Sequence, residues 1–342
     1  MSAEITPLVP IPTVLLTNDD GPCSEDESPF IYPFSQVLIS SFLSSDPEKL
    51  KVVLPDSQKS WIGKAYIIKD RLSVTNYDPS TRQSSHRGDD RFSWKLVSGT
   101  PASCSNLGLF NLFPGQIDLV ISGPNFGRNT STAFSLSSGT IGAAMDAALS
   151  KHKSIALSYG VFERPISTEL LEAANRLAVK IIERLWRIGF TNFGDKDAAD
   201  LYSVNIPLVP AIISDPKVIW TTEATTRYGR LFLSETSTSQ VIPTKPAEID
   251  ETSTHLDPSK LMESTHSPTA DAEAIDFVFK PDISSLIDPN DSQLVPGTDA
   301  WALNKGFSTV TPLQAAFKAA KPPACDTISL SAGELPIWKV AF

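Results

Sequence analysis

The feature that most constrains this chain lies near its start. Thr13-Val14-Leu15-Leu16-Thr17 is a nearly unbroken apolar and β-branched run, cut off by Asn18-Asp19-Asp20-Gly21. Such a strand has no polar face to give to water, so both of its faces must be covered. Helices on either side of a parallel sheet meet that demand. The polar tetrapeptide then sets two adjacent carboxylates just beyond the strand's C-terminal end, where open α/β sheets collect their ligands.

The same grammar recurs downstream. Residues 29–43 predict a helix, Lys51 to Leu54 a second buried strand closed by Pro55-Asp56, and Phe92 to Val97 another strand. Ala65 to Ser73 alternates weakly and predicts a hairpin arm, and the polar stretch 76–91 a surface loop. A helix follows near Ser103 to Leu112, then the strand Ile117 to Ser122 with its turn at Gly123 to Gly127. Ser138-Gly139-Thr140 opens a small-residue helix through Leu149, and Ile155 to Tyr159 returns as a strand. Residues 168–187 carry apolar positions at helical spacing with Thr168 as cap and Gly189 as stop, and Tyr202 to Ile206 is strand-like.

This order predicts a doubly wound, mostly parallel α/β sheet of Rossmann-like type over residues 13–210. A β-rich C-terminal extension is expected over 211–342, with local strands near 218–222, 230–234 and 274–279. Within it, residues 235–273 are rich in Ser, Thr, Pro and acidic residues and predict an exposed insertion. Thr298-Asp299 and residues 306–313 predict a last hairpin or strand that returns to the core.

Bulk properties narrow the function. A net charge of -10, from 29 basic and 39 acidic residues in 342, argues against broad binding of a nucleic-acid polymer. A small phosphorylated substrate is compatible, because a divalent cation reverses the local field. Cys23, Cys104 and Cys325 make no metal-binding pair, and the four histidines show no ligand spacing. Three cysteines favour a reducing compartment, and the first twelve residues resemble no secretory or transit segment. A cytoplasmic protein without a membrane span is the expectation. Neither a Gly-x-Gly-x-x-Gly nor a Walker loop follows the first strand, which disfavours dinucleotide and P-loop nucleotide sites.

Several small polar groups follow the strands. In a sharp turn Asp19 and Asp20 can approach one site, and a hard cation would offset their repulsion; Asp-Asp-Gly also occurs in plain surface turns. Ser57 and Ser60 offer hydroxyls to metal or phosphate, or to nearby backbone. Asn125 can supply an amide oxygen to a cation or form an Asx turn. Ser138-Gly139-Thr140 makes a phosphate cradle or an ordinary helix cap, and Asn129 lies in the loop between.

In order along the chain, residues 14–21, Val52-Val53-Leu54-Pro55-Asp56 leading to Ser60, Gly99-Thr100-Pro101-Ala102-Ser103-Cys104, residues 118–125 and Ser138-Gly139-Thr140-Ile141-Gly142-Ala143-Ala144 resemble the SurE family of metal-dependent phosphatases and nucleotidases. Val204-Asn205-Ile206-Pro207 and residues 306–313 add to the likeness, which is nearest to its fungal acid-phosphatase-like branch. The resemblance implies Asp19, Asp20, Ser60 and Asn125 as metal ligands, with Asp19 the direct participant in chemistry beside Asp20. It places Asn18, Asn129, Ser138, Gly139 and Thr140 near the phosphate or its supports. It further implies Mg²⁺ or Mn²⁺, hydrolysis of phosphate monoesters including nucleoside monophosphates, and a homodimer through a C-terminal arm within residues 312–342. The sequence departs from the family pattern at Ser60-Trp61-Ile62-Gly63, where Ser-Gly is usual, and at Ser103, where Asp is usual. A Ser-dependent ester hydrolase lacks its Gly-x-Ser-x-Gly. A non-catalytic binding or scaffold protein on the same fold is the other alternative.

Overall fold

The computed structural model describes residues 9–85, 94–234, 275–282, 294–317, 327–328 and 337–338. It divides into two compact units, residues 1–224 with 296–342, and residues 225–295. The first is built on a ten-stranded sheet. Its parallel strands are β1 (Val14–Thr17), β2 (Leu50–Pro55), β5 (Trp94–Val97), β6 (Leu119–Phe126), β7 (Lys153–Val161) and β8 (Leu201–Leu208). The hairpin β3 (Val74–Asp78) and β4 (Gln83–Ser85) extends one edge, antiparallel to β5. At the other edge β12 (Ser308–Leu313) runs antiparallel to β8, and β9 (Val218–Trp220) lies parallel to β12.

The doubly wound, mostly parallel architecture is as expected, and strand alternation explains its two covered faces. Val14 and Leu16 of β1 and Leu119 and Ile121 of β6 enter one core with Phe34 and Leu38 of α1 (Ile31–Ser41) and Ala178 and Ile182 of α5 (Thr168–Arg184). Leu15, Val53 and Val120 point the other way, onto Cys104 of α2 (Pro101–Leu107) and Ala147 of α4 (Gly139–Leu149). Each fully buried Leu or Val contributes about 1.5–3 kcal/mol, so β1 is sandwiched by strong forces on both sides. The small residues of α4 let that helix approach the sheet closely.

Strand order locates the crevice. From β1 the chain steps to β2 and β5 on one side, then resumes on the other side of β1 with β6, β7 and β8. The switch lies between β1 and β6, whose last paired residues are Thr17 and Ser122.

Several local expectations are corrected. The hairpin is β3–β4 rather than 65–73, and it falls in the stretch expected to be loop. Edge strands need little apolar content, because backbone pairing, β3 to β5 and β4 to β3, carries them. The strand expected to stop at Ser122 runs on to Phe126, with its register to β7 shifted between Ser122 and Asn125. A Cβ at Gly123 would sit 2.0 Å from the Leu157 carbonyl oxygen, so glycine is what lets β6 continue there. An unforeseen helix, α3 (Ser131–Ser137), precedes α4. Ser167, not Thr168, caps α5 by accepting from the Leu170 N–H. Residues 306–313 return to the sheet as the strand β12, as expected, while Thr298-Asp299 opens a short helix, α7 (Asp299–Asn304); the four-residue α6 (Ala211–Ser214) comes earlier.

In the second unit β10 (Phe232–Ser234) pairs antiparallel with β11 (Phe277–Phe279). The expected insertion at 235–273 lies outside the described residues. Of the C-terminal arm, β13 (Thr327–Ile328) and β14 (Ile337–Trp338) are described, paired with each other.

Candidate active site at the switch point

The turn after β1 is built around its own amide. Asn18 donates from Nδ2 to the Gly21 carbonyl (2.9 Å) and the Ser28 hydroxyl (3.1 Å), and its Oδ1 accepts from the Gly21 N–H (3.1 Å). Both ends of the Asn18 side chain are therefore spent on holding the turn. Gly21 takes a φ of +86°, a left-handed backbone that glycine adopts without strain. The result fixes Asp19 and Asp20, 2% and 3% exposed, in the crevice.

Asp19 faces the start of α4. The Thr140 hydroxyl donates to its carboxylate, and a Cβ at Gly139 would lie 2.7 Å from the Asp19 Cβ. Only glycine permits this approach. Ser138 caps the helix, its hydroxyl accepting from the Ile141 N–H at 3.1 Å. Burial raises the Asp19 carboxyl above its ordinary range, while the Thr140 hydroxyl and the N–H groups of Thr140, Asp19 and Gly139 pull it back. The positive end of the helix dipole favours an anion there, and the Asp19 carboxylate takes that place on the Gly139 and Thr140 N–H groups.

Asp20 leans toward β6. Its Oδ2 accepts from the Phe126 N–H at 2.8 Å, which sets it against the residue next to Asn125. Burial, then the charge of Asp19, push Asp20 well above the usual carboxylate range, against the pull of the Phe126 N–H and with a smaller push from Glu27. The Asn125 Nδ2 donates to the Gly127 carbonyl at 2.8 Å, which turns its amide oxygen to the free end.

The loop after β2 arches over the crevice. At one foot the Lys59 N–H donates to the Asp19 carbonyl (2.7 Å), and at the other the Gly63 N–H donates to the Ser137 carbonyl (2.8 Å). Ser60, exposed, follows the first foot directly. Asn129 is set further toward β7 and β8. Its N–H donates to Asn205 Oδ1 (2.8 Å) and its Nδ2 to the Ser158 hydroxyl (2.9 Å).

Thus the structure gathers Asp19, Asp20, Ser138, Gly139 and Thr140 with the backbone beside Asn125 and Ser60. It leaves Asn18, with both ends of its amide engaged, and Asn129, with its Nδ2 engaged, as struts. Sequence reading passed over three supports. Asn205 and Ser158 are polar residues buried within apolar strands, a signal that was legible. Asp299 is the third: its carboxylate accepts from the N–H groups of Ser131 (2.9 Å), Ala224 (2.9 Å) and Ala300 (2.7 Å). It so pins the 129–131 loop, in which Ser131 holds a φ of +74°.

Chemically, the set offers carboxylate, amide and hydroxyl oxygens, the donors a hard divalent cation takes. Two buried neighbouring carboxylates with raised protonation ranges are also what such a cation would relieve. Among the described residues no three His, Cys, Asp or Glu side chains gather into a metal-binding group, so neutral oxygens would complete the shell.

Known proteins are similar to this chain. The family described as "Survival protein SurE" matches residues 14–230. A "probable tubulin–tyrosine ligase PBY1" of Saccharomyces cerevisiae is 38% identical over 236 residues, 60% of this chain and 30% of that protein. A "5'-nucleotidase SurE" of Methanobrevibacter smithii is 33% identical over 198 residues, 57% of this chain and 69% of that protein. One of Desulforudis audaxviator is 31% identical over 194 residues and is covered over 65% of its length. The match thus spans under a third of the yeast relative and about two thirds of the nucleotidases. In structure, the SurE protein of Aquifex aeolicus superposes with a TM-score of 0.57 at 24% identity, over 90% of this chain and 95% of that one, and so shares the fold. Matched over most of its sheet, from the first strand through the edge beyond β8, the chain belongs to the SurE family.

Proposed function

We propose that this chain hydrolyses phosphate monoesters, nucleoside monophosphates among them, with a bound divalent cation, Mg²⁺ or Mn²⁺. The observation that carries the reading is the meeting of two buried, adjacent carboxylates with the N-terminus of α4. The nucleotidase names of its relatives point the same way. The ligase in the name of the yeast protein is not carried over, because the match covers 30% of that protein.

Asp19, Asp20, Asn125 and Ser60 would hold the cation, which when bound neutralises charge on the carboxylates and on the phosphate. The chain's own groups do the rest. The dipole at the start of α4 favours phosphate oxygens there, with the Gly139 and Thr140 N–H groups shared between phosphate and Asp19. Asp19, poised at that helix end, acts as nucleophile or as base toward water. Asp20 would hold the cation throughout. Asn18, Asn129 and Ser138 hold the turn, the loop and the cap in place.

Partners and setting follow in the same spirit. The substrate is a small phosphorylated molecule rather than a nucleic-acid polymer. No helix among the described residues is long and apolar enough to cross a membrane. Cys23 and Cys104 are free thiols, in keeping with a reducing, cytoplasmic setting. A homodimer through the C-terminal arm completes the proposal.

The test is phosphate release from a panel of nucleoside monophosphates and simple monoesters, with Mg²⁺, Mn²⁺ or chelator, from acidic to neutral pH. Release that chelation abolishes and added cation restores is the expected result. Release unaffected by chelation would remove the cation from the reading, and none from any ester would remove the reaction.

A further inference from the structure

Trp61 occupies the crown of the arch between Lys59 and Gly63, and its backbone φ is +64°. A bulky side chain rarely adopts that conformation, which costs strain and is kept where the surroundings fix it. Here they do. One foot of the arch is bonded to Asp19 and the other to Ser137, and no more than four residues separate them. The indole packs edge-on against Phe134 of α3, ring centres 5.9 Å apart at 65°. Phe134 in turn is one helical turn before Ser138, whose N–H donates to the Phe134 carbonyl at 2.9 Å.

The indole is nonetheless only half-buried. Beyond it the loop continues outward into apolar surface, with Tyr66 45%, Ile67 45% and Ile68 91% exposed. So the floor of the crevice is polar and carboxylate-rich, while one lip is aromatic and apolar. A strained, partly exposed aromatic ring on the loop bonded to Asp19 suits a flat, apolar group attached to a phosphate held there.

We propose that Trp61 is a specificity-determining residue: its ring is a stacking wall for the organic half of the substrate, selecting monoesters that carry an aromatic ring over aliphatic ones. This rests on the phosphatase reading above. Stacking on an aromatic side chain is tolerant of ring identity, so the wall would accept any base or phenyl group.

The test compares the full chain with its Trp61→Gly and Trp61→Phe variants on a nucleoside monophosphate, phenyl phosphate and glycerol phosphate, with Mg²⁺ or Mn²⁺ supplied. The reading is the ratio of kcat/KM for the two aromatic esters to that for glycerol phosphate. Trp61→Gly should lower this ratio about tenfold, mainly through KM, and Trp61→Phe should keep most of it. Because glycine suits the left-handed backbone, the melting temperature of Trp61→Gly serves as the check that the fold persists. A ratio unchanged in Trp61→Gly, or lowered equally in Trp61→Phe, would overturn the stacking role while leaving the phosphatase reading intact. Absence of phosphate release from all three esters in the unaltered chain would overturn both.

Discussion

The turn at Asp19–Asp20 and the junction at Asp299 both bury carboxylates, and they treat the charge in opposite ways. Asp299 is ringed by three backbone N–H donors from three separate segments. Asp20 receives one, from Phe126, and has Asp19 as a like-charged neighbour. Backbone N–H groups saturate the first carboxylate and turn it into a structural tie. In the second pair Asp19 is held by the Thr140 hydroxyl and the N–H groups at the start of α4, and Asp20 is the one left short of donors. A buried anion with too few donors is unstable alone, so the shortfall itself marks where a cation or a proton must come.

That contrast can be broken most sharply at Asp19. Asp19→Asn should cut metal-supported turnover by a factor on the order of 10³, about 4 kcal/mol of transition-state stabilisation, with the far-ultraviolet spectrum retained. Near-normal turnover would return the turn to a purely structural role. Next in size is Asp299→Ala, which strands three N–H groups and should cost on the order of 3 kcal/mol in urea unfolding. A loss below about 1 kcal/mol would mean that water replaces the carboxylate without penalty.

The pH dependence of stability sharpens the same point. Burial pushes the Asp299 carboxyl up to about 6, from an ordinary value of about 4, against the pull of its three N–H donors. Between those values the native state binds the proton more than the unfolded chain does. The Asp299 contribution is therefore full below about pH 4 and is lost as pH rises through about 6. Asp299→Asn should flatten that slope in equilibrium unfolding, and an unchanged slope would assign it elsewhere. Smallest is Asp20→Asn. In chelator it should stabilise the protein by about 1–2 kcal/mol by removing one of two crowded charges, and it should abolish the rise in melting temperature that Mg²⁺ or Mn²⁺ gives the unaltered chain.

How legible all this was depended on which force ruled each segment. Continuous apolar runs such as Val14–Thr17 announced the buried parallel strands, because burial on both faces leaves no other pattern. Helix α5 was equally open, since its apolar spacing follows one face. The β3–β4 hairpin was hidden, as polar residues such as Thr75 and Asn76 are held there by pairing with β5. Helix α3 was hidden too, its Ser- and Thr-rich sequence being helical only through its surroundings. At the site, the turn chemistry of Asn18 and Gly21 and the cap at Ser138 were readable from adjacent residues. The tie from Asp299 to Ser131 was not, because it spans 168 positions and obeys no local rule.

That separation has a consequence for synthesis. The β8 strand, buried along its whole length in the finished sheet, takes its outer partner from β12. On a ribosome adding ~5–20 residues per second, β12 emerges roughly 100 residues after β8, so this ladder edge stands open for roughly 5–20 s. An open edge is a template for another chain. Truncated chains released after about residue 295 should therefore aggregate or recruit a chaperone through β8, and those released past residue 313 should not. Equal behaviour of the two lengths would show that the edge is guarded by something other than β12.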